Sequence, residues 1–255
     1  MPINIIERHK LILKKLKEDG HVNVEDLSQM FNVSSVTIRK DLKLLEERNL
    51  LFRTHGRAIP SNPYIPERSV NEKANIHKDE KHRIALKAAS LLNTNDSIIL
   101  ASGTSIIELA DAIQYTEGLT ILSASLNASL IVSNIPDIEV IQLGGTVRKS
   151  SSSVIGPLGE KMLSEFTFTK LFLGVDGIDL DFGLTTTNSM EASLNKNMIK
   201  AAQKIIVSAD ASKFGKKGFG RICGLEEVNQ IITDSNIDDD YKEKLMAFGI
   251  EVTIV

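Results

Sequence analysis

The sequence predicts an α/β protein in two parts: a short helical head that ends in a hairpin, and a larger body built on a mainly parallel sheet. Three observations carry this. The first sixty residues place apolar side chains at helical spacing and close on an apolar-basic alternation around Gly56. From Ser97 onward, short β-rich runs alternate with helical ones. Between the two parts, "IPSNPYIPERSVNE" holds three prolines and little periodicity, as a linker does. The expected divisions are a head over 1–58, a linker over 59–72 and a body over 73–255.

Composition suits this plan. The chain has 255 residues, 42% hydrophobic and 25% charged, which is ordinary for a soluble globular protein. A single cysteine, Cys223, excludes an internal disulfide framework and a multi-thiolate metal site, so a reducing cytoplasm is the expected location. No apolar run approaches the roughly 18 residues that span a bilayer, and the charged start "MPINIIERHKLILKKLKEDG" is unlike a signal peptide. No membrane association is expected. Charge is divided unevenly: residues 1–60 carry 11 Lys+Arg against 8 Asp+Glu, and the remainder 19 against 25. A mildly basic head on an acidic body suits a nucleic-acid-binding module joined to something that is not one.

In the head, Ile5, Ile6, His9, Ile12, Leu13 and Leu16 follow helical spacing, and Asp19-Gly20 reads as a stop. A short second helix runs from Val24 to Met30 with Leu27 and Phe31 turned inward. A tight turn at Asn32-Val33 precedes Ser34, a good N-cap. The third helix places Ile38, Leu42 and Leu45 on one stripe and leaves Ser35, Thr37, Arg39, Lys40 and Lys43 on other faces. Two short helices so joined, the second with small hydroxyls at its start and basic residues after, make a helix-turn-helix whose second helix enters the major groove. "NLLFRTHGRAIP" then reads as a hairpin wing, with Arg53, His55 and Arg57 able to reach phosphates or the minor groove. A three-helix bundle with a solvated basic face has the same spacing, so pattern alone leaves both readings open.

The stretch "VEDLSQMFNVSSVTIRKDLKLLEERNLLFRTHGRA" resembles the N-terminal signature of the DeoR-type bacterial repressors of sugar metabolism. The match runs through Val33, Ser34, Thr37, Ile38, Arg39, Asp41, Leu42, Leu45, Glu46, Arg53, His55, Gly56 and Ala58. It implies a winged helix-turn-helix that binds double-stranded operator DNA. Arg57 departs from the family, which usually has a second wing glycine there. Asp41, a carboxylate on a DNA-facing helix, is expected to hold Arg53 or another wing cation through a charge-assisted bond.

In the body, "KANIHKDEKHRIALKAASLL" reads as one helix to about Leu92, and "SIILA", "LTILSA", "IEVIQL", "KLFLGV", "KIIVSAD", "QIITD" and "EVTIV" read as strands. The four serines 150–153 read as a flexible loop. Parallel sheets of this kind bind ligands in loops at the carboxyl ends of their strands. One such loop, Ser102-Gly103-Thr104-Ser105, opens into a helix bearing Ile106, Leu109 and Ala110. Its glycine permits close approach, its hydroxyls donate, and the helix N-terminus favours an anion. A simple capped turn has the same sequence. Other strand ends carry Gly144-Gly145 with Arg148, Asp176-Gly177, and Asp210 with Lys213.

Together these resemble the effector domain of the same repressors, which has a "DSGTT" loop, a "GGxxR" segment, a "GxDGI" strand end, an acidic helix residue (here Glu191) and an "SKFG" motif. The resemblance spans nearly all of residues 1–240. It implies a fold similar to ribose-5-phosphate isomerases and CoA-transferase-like proteins, and a small phosphorylated sugar or polyol as effector. Ser102, Gly103, Thr104 and Ser105 are then expected to take the phosphate, Lys213 and Arg148 to add positive charge, and Asp176 and Glu191 to face sugar hydroxyls. Gly144, Gly145 and Gly177 belong to the same expected site. Ala101 and Ala124 depart from the family, which commonly has an acidic residue and an asparagine there. Their absence points to an altered effector or a weakened response.

Other motifs lead nowhere. "DFG" at 181–183 lacks the companions of a kinase and reads as a turn. His77 and His82 do not share a helix face, and Cys223 reads as a buried structural thiol. No catalytic residue, cofactor or metal is expected. The function implied is a repressor of a carbohydrate-utilisation operon that binds as a homo-oligomer and is released by its effector. The alternatives are a DNA-binding regulator whose pocket has decayed and a sugar-phosphate isomerase-like enzyme.

Overall fold

The computed structural model describes residues 4–48, 50–54, 56–60 and 64–255, in two units that divide between Pro63 and Tyr64. In the head, α1 (Ile5–Asp19) starts where the Asn4 side chain accepts the Glu7 N–H at 2.9 Å and stops at Gly20, whose φ of 73° few other residues adopt. β1 (Val22–Asn23) leads into α2 (Val24–Phe31), which ends at Asn32 in the left-handed region. Ser34 caps α3 (Ser35–Glu47), its hydroxyl accepting the Thr37 N–H at 3.2 Å. β2 (Leu51–Thr54) and β3 (Arg57–Pro60) form the wing, with β1 added in the antiparallel order β1-β3-β2.

The stripe expected on α3 is the head's core. Ile38, Leu42 and Leu45 pack with Ile12, Leu16, Leu27, Phe31 and Leu51. Each such side chain, removed from water, contributes about 1.5–3 kcal/mol. The amphipathic faces therefore fix which side of α3 remains outside.

The body opens with α4 (Val70–Ala74) and α5 (Lys78–Ala89), which replace the single helix expected from Lys73. The interruption is at His77, in the left-handed region with φ 53°. Two further expectations change here. Ile59 and Pro60 belong to the wing, and α4 starts at Val70, so only part of 59–72 can serve as linker. Ser69 and Glu72 cap α4 reciprocally, which orders the run that the prolines suggested was loose.

There follow β4 (Ser97–Leu100), α6 (Thr104–Ala112), β5 (Thr120–Ser123), α7 (Leu126–Val132), β6 (Glu139–Gln142), β7 (Thr146–Arg148), β8 (Ser153–Ile155), α8 (Pro157–Leu163) and β9 (Phe168–Leu173). β10 (Gly177–Asp179), β11 (Gly183–Thr186), α9 (Ser189–Ala201), β12 (Ala202–Ser208), β13 (Gly220–Cys223), β14 (Gln230–Thr233), α10 (Asp239–Ala247) and β15 (Glu251–Ile254) complete it. The strands predicted from the seven β-rich runs form one sheet in the order β15-β14-β12-β9-β4-β5-β6, and every pair in it is parallel. Its faces are covered by two apolar clusters, one around Ile99, Leu122, Leu171 and Val207, the other around Ile98, Leu100, Phe172 and Ile206. Burial on both faces explains why the central strands β4, β9 and β12 carry continuous apolar runs.

The sheet order reverses between β4 and β9, so the chain leaves these neighbouring strands toward opposite sides. That is the switch point at which parallel sheets open a crevice. Short hairpins complete the body: β7-β8, and a β10-β11-β13 sheet whose first turn holds the "DFG" residues. The serine tract is not a loose loop. Ser153 lies in β8, and the buried Ser151 and Ser153 hydroxyls pair at 2.7 Å.

Candidate functional site

In the head, burial of Ile38, Leu42 and Leu45 leaves Arg39, Lys40 and Lys43 exposed on α3. Ser35 and Thr37 are half-buried near its N-terminus, and Ser34 is occupied as the cap, its hydroxyl also pairing with that of Thr37 at 2.9 Å. On the wing, Arg53 and Arg57 are exposed, whereas His55 lies outside the described residues. Arg53 is held by Glu46. The Arg53 N–H donates to one carboxylate oxygen at 2.8 Å and its Nε to the other at 2.6 Å. Those two bonds hold the Glu46 carboxyl below its ordinary range.

Asp41 does not hold a wing cation. It points into the head, where Arg8 Nε and Nη2 donate to it at 2.6 and 3.0 Å and His9 Nε2 lies at 3.1 Å. Asp41 is 2% exposed, so its charge is spent on joining α1 to α3 and is withdrawn from the basic face. The result is a helix with one apolar side, one buried ionic tie and one basic side, and a basic side of this kind suits a nucleic-acid backbone and base edges.

In the body, the loops after β4 and β9 meet at the switch point. They approach so closely that a Cβ on Gly174 would lie 2.9 Å from the Ser102 carbonyl. Gly103 adopts φ 105° as the N-cap of α6, and no side chain caps that helix. Residues Ser102, Gly103, Thr104 and Ser105 line one wall of a cavity. Arg148 of β7, Asp176 beyond β9, Glu191 in the first turn of α9 and Lys213 complete the predicted residues that reach it. Arg68, Val70, Lys73, Ser151 and Thr186 are the lining that the sequence did not reveal. The prolines put Arg68 and Val70 in the expected linker and Lys73 at its edge, although Ser69 and Glu72 carry the spacing of a capping box, which signals a helix there.

Gly144, Gly145 and Gly177 do not line the cavity, and the last two have a packing reason. A Cβ on Gly145 would lie 2.7 Å from Val154 Cγ1 and one on Gly177 would lie 2.3 Å from the Lys216 carbonyl, whereas one on Gly144 would meet nothing within 4 Å. Ala101 and Ala124 are also absent from the lining. Both are buried in the apolar cluster under the sheet.

The cavity is charged and internally paired. Glu191 accepts from Arg148 Nη1 and from the Ser102 hydroxyl, the latter at 3.4 Å. Asp176 accepts from Lys73 Nζ at 2.6 Å, and from the Thr186 hydroxyl and Thr187 N–H at 3.1 Å each. The two carboxyls diverge. Burial pushes Glu191 above its usual range despite Arg148. Asp176 is buried too, but the charge and hydrogen bond of Lys73, with Lys213 and the Thr187 N–H, hold it below. The lining holds Arg68, Lys73, Arg148 and Lys213 against Asp176 and Glu191, an excess of positive charge inside an acidic body. Hydroxyls, the open N-terminus of α6, cations and carboxylates thus share one lining, in which the cations and carboxylates are paired with each other.

Elsewhere, burial pushes the Cys223 thiol up to about 12, which makes it inert. Among the described residues no cluster of His, Cys, Asp or Glu is placed to hold a metal, and no helix is long and apolar enough to cross a membrane.

Residues 8–63 match the model of the DeoR-like helix-turn-helix domain, and residues 76–235 that of the DeoR C-terminal sensor domain. The chain is 36% identical to a candidate aga operon transcriptional repressor of Escherichia coli O157:H7, over 98% of this chain and 93% of that one. It is 33% identical to the HTH-type transcriptional regulator GlpR of Haloferax volcanii, over 96% of each. Among solved structures, a ribose 5-phosphate isomerase from Plasmodium falciparum is similar at a TM-score of 0.40 and 17% identity, over 55% of this chain and 54% of that one. The matches over the whole length are to regulators, so the protein is a DNA-binding transcriptional regulator and not an enzyme. The chain belongs to the DeoR family of transcriptional regulators.

Proposed function

We propose that this regulator represses a carbohydrate-utilisation operon and is released from its operator by a small phosphorylated sugar or polyol. The observation that carries the reading is the cavity at the sheet switch point, where Ser102, Gly103, Thr104 and Ser105 at the start of α6 share one lining with Arg148, Lys213, Asp176 and Glu191. The phosphate sits on the α6 N-terminus with Arg148 and Lys213 nearby, and the carboxylates of Asp176 and Glu191 accept from hydroxyls. The protein acts in the cytoplasm as a homo-oligomer, because helix-turn-helix readers pair two half-sites. Helix α3 reads bases through residues such as Arg39 and Lys40, while Ser34, Ser35, Thr37, Lys43, Arg53, His55 and Arg57 contribute at its N-terminus and along the backbone. A coupling of about 1–3 kcal/mol between the sites changes operator affinity roughly 5- to 150-fold.

The test is thermal unfolding of the full-length protein against sugar and polyol phosphates, each beside its unphosphorylated counterpart. A ligand at 100 times its Kd adds about 2.7 kcal/mol. A rise in Tm confined to phosphorylated compounds is expected. A broad panel without one would remove the effector role from the cavity.

A further inference from the structure

Residues 64–74 follow directly on Pro63, where the head ends, and they are fastened to the body at several points. The Ile65 N–H donates to the Lys217 carbonyl at 2.9 Å and the Val70 N–H to the Ser150 carbonyl at 2.7 Å. The Tyr64 ring meets Phe219 edge-on, with centroids 5.6 Å apart. At the far end, the buried Lys81 Nζ donates to the carbonyls of Lys73 and Ile76 at 2.7 and 2.6 Å. The same segment is a wall of the cavity. Arg68, Val70 and Lys73 line it, Lys73 pairs with Asp176, and Glu67 pairs with Arg148 Nη2 at 2.8 Å.

Arg148 is thus committed on both sides, through Nη1 to Glu191 and through Nη2 to Glu67. Along its Nη1/Nη2 edge, the guanidinium can meet a phosphate with both prongs only by releasing one carboxylate. Glu67 is the one more easily released, since its side chain is 45% exposed against 13% for Glu191. A ligand hydroxyl seated on Asp176 competes in the same way with Lys73.

Resting on the effector reading above, we propose that segment 64–74 is a latch which the ligand opens. An anion at residues 102–105 takes Arg148 from Glu67, a hydroxyl takes Asp176 from Lys73, and the segment that carries the chain into the head comes loose from the body. Occupancy of the cavity is then read by the residues next to the DNA-binding unit, with no need for a rearranged sheet.

Hydrogen exchange read by mass spectrometry on the full-length protein tests this, with inorganic phosphate as probe against chloride at equal ionic strength. Phosphate is expected to slow amides in 102–110 and to speed those in 64–74 roughly five- to tenfold, the scale of one hydrogen bond lost in local opening. Glu67→Gln, at an exposed position, should speed 64–74 to a similar extent without phosphate. Slowing of 102–110 with 64–74 unchanged would overturn the latch and leave the effector site standing. No response in either segment, to inorganic phosphate or to any phosphorylated compound of the panel, would overturn both. An unaltered 64–74 in Glu67→Gln would overturn the latch independently of any ligand.

Discussion

Replacing Asp41 by alanine should destabilise the head while leaving the body intact. Asp41 accepts two bonds from Arg8, at 2.6 and 3.0 Å, and lies 3.1 Å from His9, with the Arg8 and Asp41 side chains 9% and 3% exposed. Removing the carboxylate of a buried, doubly bonded pair costs about 3–5 kcal/mol, because Arg8 loses two charge-assisted bonds while its burial remains. The head ends at Pro63, and a unit of that size has only about 3–9 kcal/mol in total. For a domain of about 60 residues each kcal/mol moves Tm by roughly 4–8 °C, so the head should melt at least about 12 °C lower. Urea unfolding of the full-length chain, followed by exchange in peptides from each unit, separates the two transitions. The double variant Arg8→Met, Asp41→Leu should recover most of the loss, since apolar residues of similar volume replace such pairs at little cost. A head midpoint within about 0.5 kcal/mol of the parent in Asp41→Ala would refute the reasoning, since that is the effect of an ordinary surface change.

The exposed residues of α3 should behave in the opposite way. Arg39→Ala or Lys40→Ala should each cost operator affinity about 1–3 kcal/mol with an unchanged unfolding midpoint, measured on duplexes selected from a random pool. Thr104→Ala should spare DNA binding but weaken the phosphate-dependent rise in Tm, and an undiminished rise would take the hydroxyl out of the site. Lys73→Met should destabilise the body by about 1–3 kcal/mol at pH 7. The folded pKa of Asp176 is lowered, so the stability that its pairing supplies is present above the unfolded value and fades as pH falls through the folded one. The gap between variant and parent in urea should therefore close in acid, and a gap independent of pH would exclude the pair as its cause. Glu191 has the reverse sign. Its folded pKa is raised, so sulfate, an anion that does not titrate, should bind more tightly as pH falls through that value, and Glu191→Gln should flatten the dependence.

The sheet was legible because its strands are buried on both faces. Ile98 to Leu100, Leu171 to Leu173 and Ile205 to Val207 are unbroken apolar runs that need no tertiary context. The strands of the β10-β11-β13 sheet, "GID", "GLTT" and "GRIC", are too short for any period, and their pairing depends on glycines that admit a facing backbone. Charge partners were harder still. Periodicity put Asp41 on the recognition helix but could not say that Arg8 and His9 lie opposite it, and the expected partner, Arg53, is satisfied by Glu46 instead. The departures at Ala101 and Ala124 look like lost ligand contacts in sequence. In the fold they are core positions, so they carry no argument for a decayed pocket.

The charges in the cavity bear on how it can select a ligand. The body as a whole is acidic, yet the lining gathers Arg68, Lys73, Arg148 and Lys213, and Glu67, Asp176 and Glu191 balance much of that charge. Affinity on the proposed reading is therefore a difference between new bonds and displaced ones. A bare anion that takes Arg148 competes with a carboxylate, and a neutral sugar that takes Asp176 competes with Lys73. A ligand with both groups opens both pairs in one event and loses the freedom of a single molecule. The paired interior thus penalises each half-ligand and favours the phosphorylated polyol that combines them.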